Sequence, residues 1–518
     1  MMWNWRTWLL TVCLLPVSGW ASEYFEQLGW IAPDSKLTTL INYQPELEQL
    51  YQRNGNQLIW FDLQQGSSLE FQLEVIQRAG FSPLFARQLS YLQYYRKSNR
   101  WYEYDLLATD TLLLYLNYAE KAKTEGKDWF FGKKLKHPVR PVLDSSLLAL
   151  ERAISSHQLA SIIETYTPDS SDYKQLIESY LALVKFQKLE RPLYTQDGLK
   201  REGDTLENRD ILLSRMEIVD VDLGEVRRDI TWYDDTLESA VKQFQRLHGL
   251  TPDGVIGPKT IKWLNLPIDT RLSQLALNAE RARYWPENRD TIIVVNLPSY
   301  DMKYWFDGKE VFESKVVVGK KARPTPVMVT NLNALILNPT WNVPWKIMVE
   351  DIIPKVKNDP MYLYKQNIEI LPKWGSSERI DPTEIDWASV KPKAFPYRMT
   401  QRSGYRNALG LYKFNTPNNR AIYLHDTPSK SLFRREQRAF SSGCIRVENA
   451  DVFANRLLSS QGISTNKVAE ANDQSNKAIP LRKRVPVHII YQTAWFEGGK
   501  THYREDIYRL DSLSYSKG

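Results

Sequence analysis

Cys444 lies in the string Ser441-Ser442-Gly443-Cys444-Ile445-Arg446-Val447, and His425 stands 19 residues upstream in Tyr423-Leu424-His425-Asp426-Thr427-Pro428. A free thiol with a pKa of about 8.5 is only a few per cent thiolate at neutral pH. An adjacent imidazole that takes its proton and steadies the anion makes it a competent nucleophile. Gly443 lets the backbone approach closely. Amides around Gly443 and Cys444 would then cradle the oxyanion of a tetrahedral intermediate, an effect worth about 3–4 kcal/mol per donor. Arg446 supplies a fixed charge suited to a forked hydrogen bond with a substrate carboxylate, or else it serves a structural salt bridge. Tyr423, two residues before His425 on a strand, faces the same side; it lines the cleft or belongs to the core. The same choice holds for Trp341 and Trp345. No His/Cys/carboxylate cluster has metal-ligand spacing, and nothing implies a cofactor.

The compartment sharpens the reading of the thiol. Arg6 precedes an apolar run from Trp8 to Val17, and Gly19-Trp20-Ala21 precedes Ser22. This reads as a secretory signal, residues 1–21, cleaved after Ala21. The run is roughly half the about 20 apolar residues that a membrane span needs. An uncleaved anchor is the alternative, and bulky Val12 argues against lipidation of Cys13. No later segment is long and apolar enough to span. Cleavage leaves Cys444 as the sole mature cysteine, where thiols are usually paired. Such a thiol is either buried and inert or kept for chemistry. The net charge of +7 over 518 residues hints weakly at an acidic partner and does not imply nucleic acid.

The elements that must position these residues fall into segments. Residues 22–197 read as a helical scaffold. Tyr173, Leu176, Ile177, Tyr180, Leu181 and Val184 form one apolar stripe capped by Asp172, and similar patterns cover Asp110–Glu125 and Asp144–Thr165. His137 and His157 read as surface residues. In residues 198–268, Asp235 and Glu238 suggest a capping box, Gly249 ends that helix, and Gly257-Pro258 opens the next. His248 reads as a helix-end cation or a surface residue. Residues 269–290 read as a linker. From 291 to 511 the period becomes that of strands: Thr291–Asn296, a hairpin turning at Asp307-Gly308, Ala334–Leu337, Ala421–Leu424 and Val485–Tyr491. Residues 346–404 interrupt them as a lid, with a helix cap at Asp381-Pro382-Thr383-Glu384. Residues 512–518 are a tail.

Two resemblances follow from these residues. Ala240-Val241-Lys242-Gln243-Phe244-Gln245, Gly249-Leu250, Asp253-Gly254-Val255-Ile256-Gly257 and Thr260 resemble the helical peptidoglycan-binding module of cell-wall enzymes. His-Asp-Thr followed by Ser-x-Gly-Cys-Ile-Arg is similar to the catalytic signature of L,D-transpeptidases, and the segment order resembles their large Gram-negative members. The resemblance implies an α+β multidomain protein with a helical N-terminal half and a β-rich catalytic domain carrying a lid. It implies Cys444 as nucleophile, His425 as general base, and Gly443 with Cys444 as oxyanion donors. Arg446, Tyr423, Ser442 and Ser441 would lie on the substrate side. Many relatives carry histidine where Ser442 stands. Either Asp426 or a backbone carbonyl would orient His425. The implied partners are peptidoglycan stem peptides and the sacculus, together with other cell-wall synthesis enzymes, in the periplasm. The implied reaction joins two stems third residue to third residue with release of D-alanine, and carbapenems would acylate the thiol. A same-fold hydrolase, a lipoprotein-tethering enzyme and a non-catalytic scaffold are the rivals.

Overall fold

Helices fill the chain from Lys36 to Arg281 wherever apolar residues recur at helical spacing. The computed structural model describes residues 36–60, 63–286, 288–466, 468 and 474–511. The expected signal segment and tail lie outside the described residues. Trp101–Phe131 is buried along most of its length and forms the axis of the scaffold. Its buried Asp105 accepts from the Ile59 and Trp60 amides, and Asp110 accepts from those of Asn42 and Tyr43. The pattern expected over Asp144–Thr165 is two helices, Asp144–Ser155 and Leu159–Thr165, broken where exposed His157 takes φ +54. Ser170, not Asp172, caps Ser171–Val184 through the Tyr173 amide.

The next unit contains helices Arg209–Met216, Asp235–Leu247 and Pro258–Leu264. The expected Asp235/Glu238 box does not form. Asp234 is the cap residue, and Glu238 pairs with Lys242 one turn on. His248 is neither surface nor cation. It is 2% exposed, stacked between Phe244 and Tyr503, and its ring nitrogens face the Phe244 carbonyl and Arg271. Burial and Arg271 hold it neutral.

The expected linker at 269–290 is largely the helix Ile268–Arg281, which buries Leu272, Leu275, Ala276 and Ala279 in the scaffold core. Its stripe is masked in sequence by buried polar residues that reach across to the C-terminal half. Gln274 donates to the Thr493 and Arg504 carbonyls. Arg281 pairs with Asp511 at 2.8 Å.

The C-terminal half is β-rich. Its strands are β1 (Ile292–Asn296), β2 (Asp301–Phe306), β3 (Lys309–Gly319), β4 (Met328–Leu337) and β5 (Trp341–Asn342). There follow β6 (Ile368–Leu371), β7 (Arg398–Gln401), β8 (Tyr412–Asn415), β9 (Leu424–His425) and β10 (Ala439–Ser441). Last come β11 (Ile445–Val447), β12 (Lys477–Ile490), β13 (Ala494–Glu497) and β14 (Lys500–Tyr503). The main sheet runs β10-β3-β11-β9-β8-β4-β12-β1-β2, and β2 also pairs with β3, so it closes on itself. The closed face packs on Phe453, Leu457 and Leu458 of the helix Ala450–Ser460. Asp307 and Gly308 both take positive φ, the two-residue hairpin turn that matches strand twist.

The insert has its own core, including Val343, Met348, Ile353, Trp387, Phe395 and Met399. It also has its own sheet, β5-β7-β6. The capping box at Asp381 opens only a 3-10 turn, Pro382–Glu384. The insert's helical turns lie instead at Trp345–Ile347, Ile353–Asn358 and Tyr362–Lys365, with a π-turn at Met348–Ile352.

Candidate active site

Strand pairing assembles the site. In the parallel β9–β11 pair, Ile445 faces Leu424 and Arg446 faces His425. In the antiparallel β8–β9 pair, Lys413 faces His425. Residues in register share a face of the sheet. Lys413, His425 and Arg446 therefore form a row across three strands, with Tyr423 and Cys444 one rung along it. Phe414, Leu424 and Ile445, one position off, point into the core. The strand expected to begin at Ala421 begins at Leu424, because Ala421 takes φ +52. That strained residue turns its carbonyl toward the thiol, which donates to it at 3.6 Å.

Tyr423, through its amide and hydroxyl, favours the thiolate form of Cys444, and Trp341 favours the ionised form of the Tyr423 hydroxyl. Both rings are half-buried, and Trp341 also packs against the insert's core. Trp345 is 52% exposed and joins neither cleft nor core. Burial raises the Cys444 thiol; Tyr423, Lys413 and Arg446 pull the other way without overcoming it. The resting sulfur is a protonated thiol.

His425 is 4% exposed, and its Nδ1 hydrogen-bonds the Asp426 carbonyl. That carbonyl, not the Asp426 carboxylate, orients the ring; the carboxylate accepts from the Leu411 amide and pairs with Lys430. The proton assigned to Nδ1 by this bond leaves Nε2 bare. Burial first, then the charges of Arg446 and Lys413, lowers the imidazole to about 3. Among the described residues the thiol donates to the Ala421 carbonyl, and no Cys444–His425 hydrogen bond is formed in this state. Catalytic hydrogen bonds are often long before substrate arrives.

The loop before the cysteine is held by its own hydrogen bonds. Gly443 takes φ +120, a conformation glycine tolerates best. Its amide donates to Ser441 Oγ at 3.1 Å, and its carbonyl accepts from Thr325 at 2.7 Å. The Gly443 amide is therefore engaged inside the loop in this structure. The amide of Cys444 donates to no group among the described residues. Ser441 is 3% exposed and its hydroxyl donates to the Cys444 carbonyl, which helps shape the loop. Ser442 is exposed and accepts from Arg323 at 2.9 Å.

Arg446 carries no ion pair among the described residues, and its Nε is buried without a partner. The salt-bridge alternative is thereby removed. Two residues escaped the sequence reading. Lys413 lies 4.4 Å from the Tyr423 ring centroid, and burial lowers its pKa; only the β8–β9 pairing reveals it. Arg323, whose side chain is 8% exposed, holds Glu350 and Asp351 of the insert while donating to Ser442.

Comparisons with known proteins identify the segments of the chain. Residues 290–480 match the L,D-transpeptidase catalytic domain, 45–179 a scaffold domain, and 221–264 the "Putative peptidoglycan binding domain". A "Putative L,D-transpeptidase" of Haemophilus influenzae is 30% identical over 472 residues, covering 91% of this chain and 79% of that protein. Solved structures align partially. An L,D-transpeptidase from Stackebrandtia nassauensis is 13% identical at TM-score 0.22, over 58% of this chain and 97% of its own. One from Mycobacterium smegmatis is 12% identical at TM-score 0.18, over 39% and 58%. The assignment therefore rests on the sequence matches. The chain belongs to the L,D-transpeptidase family, with scaffold, peptidoglycan-binding module and catalytic domain in that order.

Proposed function

We propose that this enzyme cross-links peptidoglycan through a Cys444 thioester, and that the row Lys413–His425–Arg446 beside the thiol carries the chemistry. Substrate is a tetrapeptide stem. Its carboxylate pairs with the unpartnered Arg446 guanidinium through a forked hydrogen bond. That pairing cancels one of the two charges that depress His425, so a bound substrate makes the imidazole a better base. The thiol proton then passes to His425 Nε2 as sulfur attacks the carbonyl of the third residue. The Cys444 amide steadies the oxyanion, and Lys413 with the Tyr423 hydroxyl steadies negative charge on sulfur. Collapse breaks the peptide bond, and His425 returns its proton to the departing D-alanine amine. The side-chain amine of a second stem attacks the thioester, gives up a proton to His425, and releases the sulfur.

The insert's attachment to the cysteine loop supports a lid that excludes water and so favours the amine acceptor. An N-terminal export signal would place this work in the periplasm. Mass spectrometry of muropeptides after incubation with tetrapeptide stems tests the reading. Dimers joined third residue to third residue, with one D-alanine lost per link, are expected. Accumulation of free tripeptide alone would make water the acceptor and the enzyme a hydrolase.

A further inference from the structure

A cleft of about 380 Å³ separates the peptidoglycan-binding module from the catalytic domain. The module contributes Arg246, Lys259 and Trp263; the catalytic domain contributes Lys315, Arg434, Arg435, Arg438 and Arg504. Seven cations thus face two carboxylates, Glu436 and Glu505, a local excess of five in a chain whose net charge is +7. Both carboxylates are already engaged: Glu436 by Lys259 and the Thr251 amide and hydroxyl, Glu505 by Lys262. Arg438 and Arg504 are engaged too, by backbone carbonyls of Tyr300 and Leu247 among others. Arg246, Lys315, Arg434 and Arg435 have no carboxylate partner among the described residues, and Arg435 lies over the Phe440 ring.

Converging like charges repel one another and raise the local concentration of an anionic ligand. We infer that this cleft is a second substrate site, which holds the stem-peptide carboxylates of polymeric peptidoglycan while a neighbouring stem occupies the thiol. The inference rests on the peptidoglycan-directed reading above. Its occupant is argued from the walls: one belongs to the matched peptidoglycan-binding segment, 221–264, the other to the catalytic domain. Arginine forks suit planar carboxylates. The segment between His425 and β10 lines the cleft with Phe433–Arg438, so a strand held there lies alongside the chain that delivers Cys444.

The test uses the full chain with purified sacculi across a salt series, and short soluble tetrapeptide as a second substrate. Arg434 and Arg435 are exposed, so Arg434→Glu/Arg435→Glu should fold. It should lose sacculus retention at least tenfold yet process the short peptide normally. Arg434→Lys/Arg435→Lys, which keeps the charge but not the fork, should restore part of the retention. Sacculi whose carboxylates are capped as methylamides should also be lost by the wild type. Undiminished retention by the double Glu variant, or of capped sacculi, would overturn the inference. So would retention on phosphatidylglycerol vesicles that falls in the double Glu variant while sacculus binding does not. If wild type turned over no short peptide but still held sacculi through their carboxylates, the cleft would stand and the catalytic reading would fall.

Discussion

His425 and Arg446 stand opposite each other in the β9–β11 ladder, with the guanidinium among the causes that hold the imidazole neutral. A histidine that acts as a base works only when unprotonated. Its activity is lost as pH falls through its own pKa, here about 3, not through the ordinary value of about 6.5. Acylation of Cys444 by a small uncharged thioester should therefore show no inflection near neutrality. Arg446→Met removes a positive charge beside the ring and should move the acid limb upward. A wild-type limb centred near the ordinary imidazole value would mean that the ring is not depressed in solution.

Tyr423→Phe removes a hydroxyl whose hydrogen bond would favour the thiolate form of Cys444. A hydrogen bond to a charged group contributes about 1.5–3 kcal/mol, so acylation should slow by roughly tenfold or more. Stopped-flow acylation, read beside a thermal melt that stays near wild type, checks this.

Arg323 links the insert to the cysteine loop. In Arg323→Ala the ties to Glu350, Asp351 and Ser442 are lost together. Hydrogen exchange over 345–358 should quicken, and KM for the donor stem should rise several-fold. Alkylation of Cys444 by iodoacetamide should be no slower than in wild type. Unchanged exchange and unchanged KM would show that the insert does not depend on this contact.

Asp511→Ala strips the buried partner from Arg281, whose side chain is 0% exposed. Breaking such a pair from one side typically costs about 3–5 kcal/mol, because the remaining charge stays buried. The thermal midpoint should drop by several degrees. A midpoint within error of wild type would mean that Arg281 finds another partner.

Local patterns were legible in the sequence and partnerships were not. The hairpin at Asp307-Gly308 and the helix opened by Gly257-Pro258 followed from short-range chemistry. Motif and compartment singled out Cys444 and His425, and strand pairing brings them onto one face of the sheet. The helix Ile268–Arg281 was missed because its polar residues are buried against the other half, and no local pattern announces that. Lys413 was invisible because its role depends on β8 pairing with β9. That the Gly443 amide meets the Ser441 hydroxyl inside the loop could not be read from spacing alone. His248 misled because its neighbours Arg271 and Tyr503 arrive from distant parts of the chain.

The central claim is that Cys444 is a nucleophile activated by His425. Intact-protein mass spectrometry with a carbapenem tests it most directly, since a strained β-lactam carbonyl would meet the thiol and the Cys444 amide in the geometry proposed for the stem. The wild type should gain one drug mass, mapped to the peptide containing Cys444. His425→Ala should gain it at least a hundredfold more slowly, the lower bound for a general base, and Cys444→Ala should gain none. An adduct that persists in Cys444→Ala, or one that forms as fast in His425→Ala as in wild type, would contradict the account.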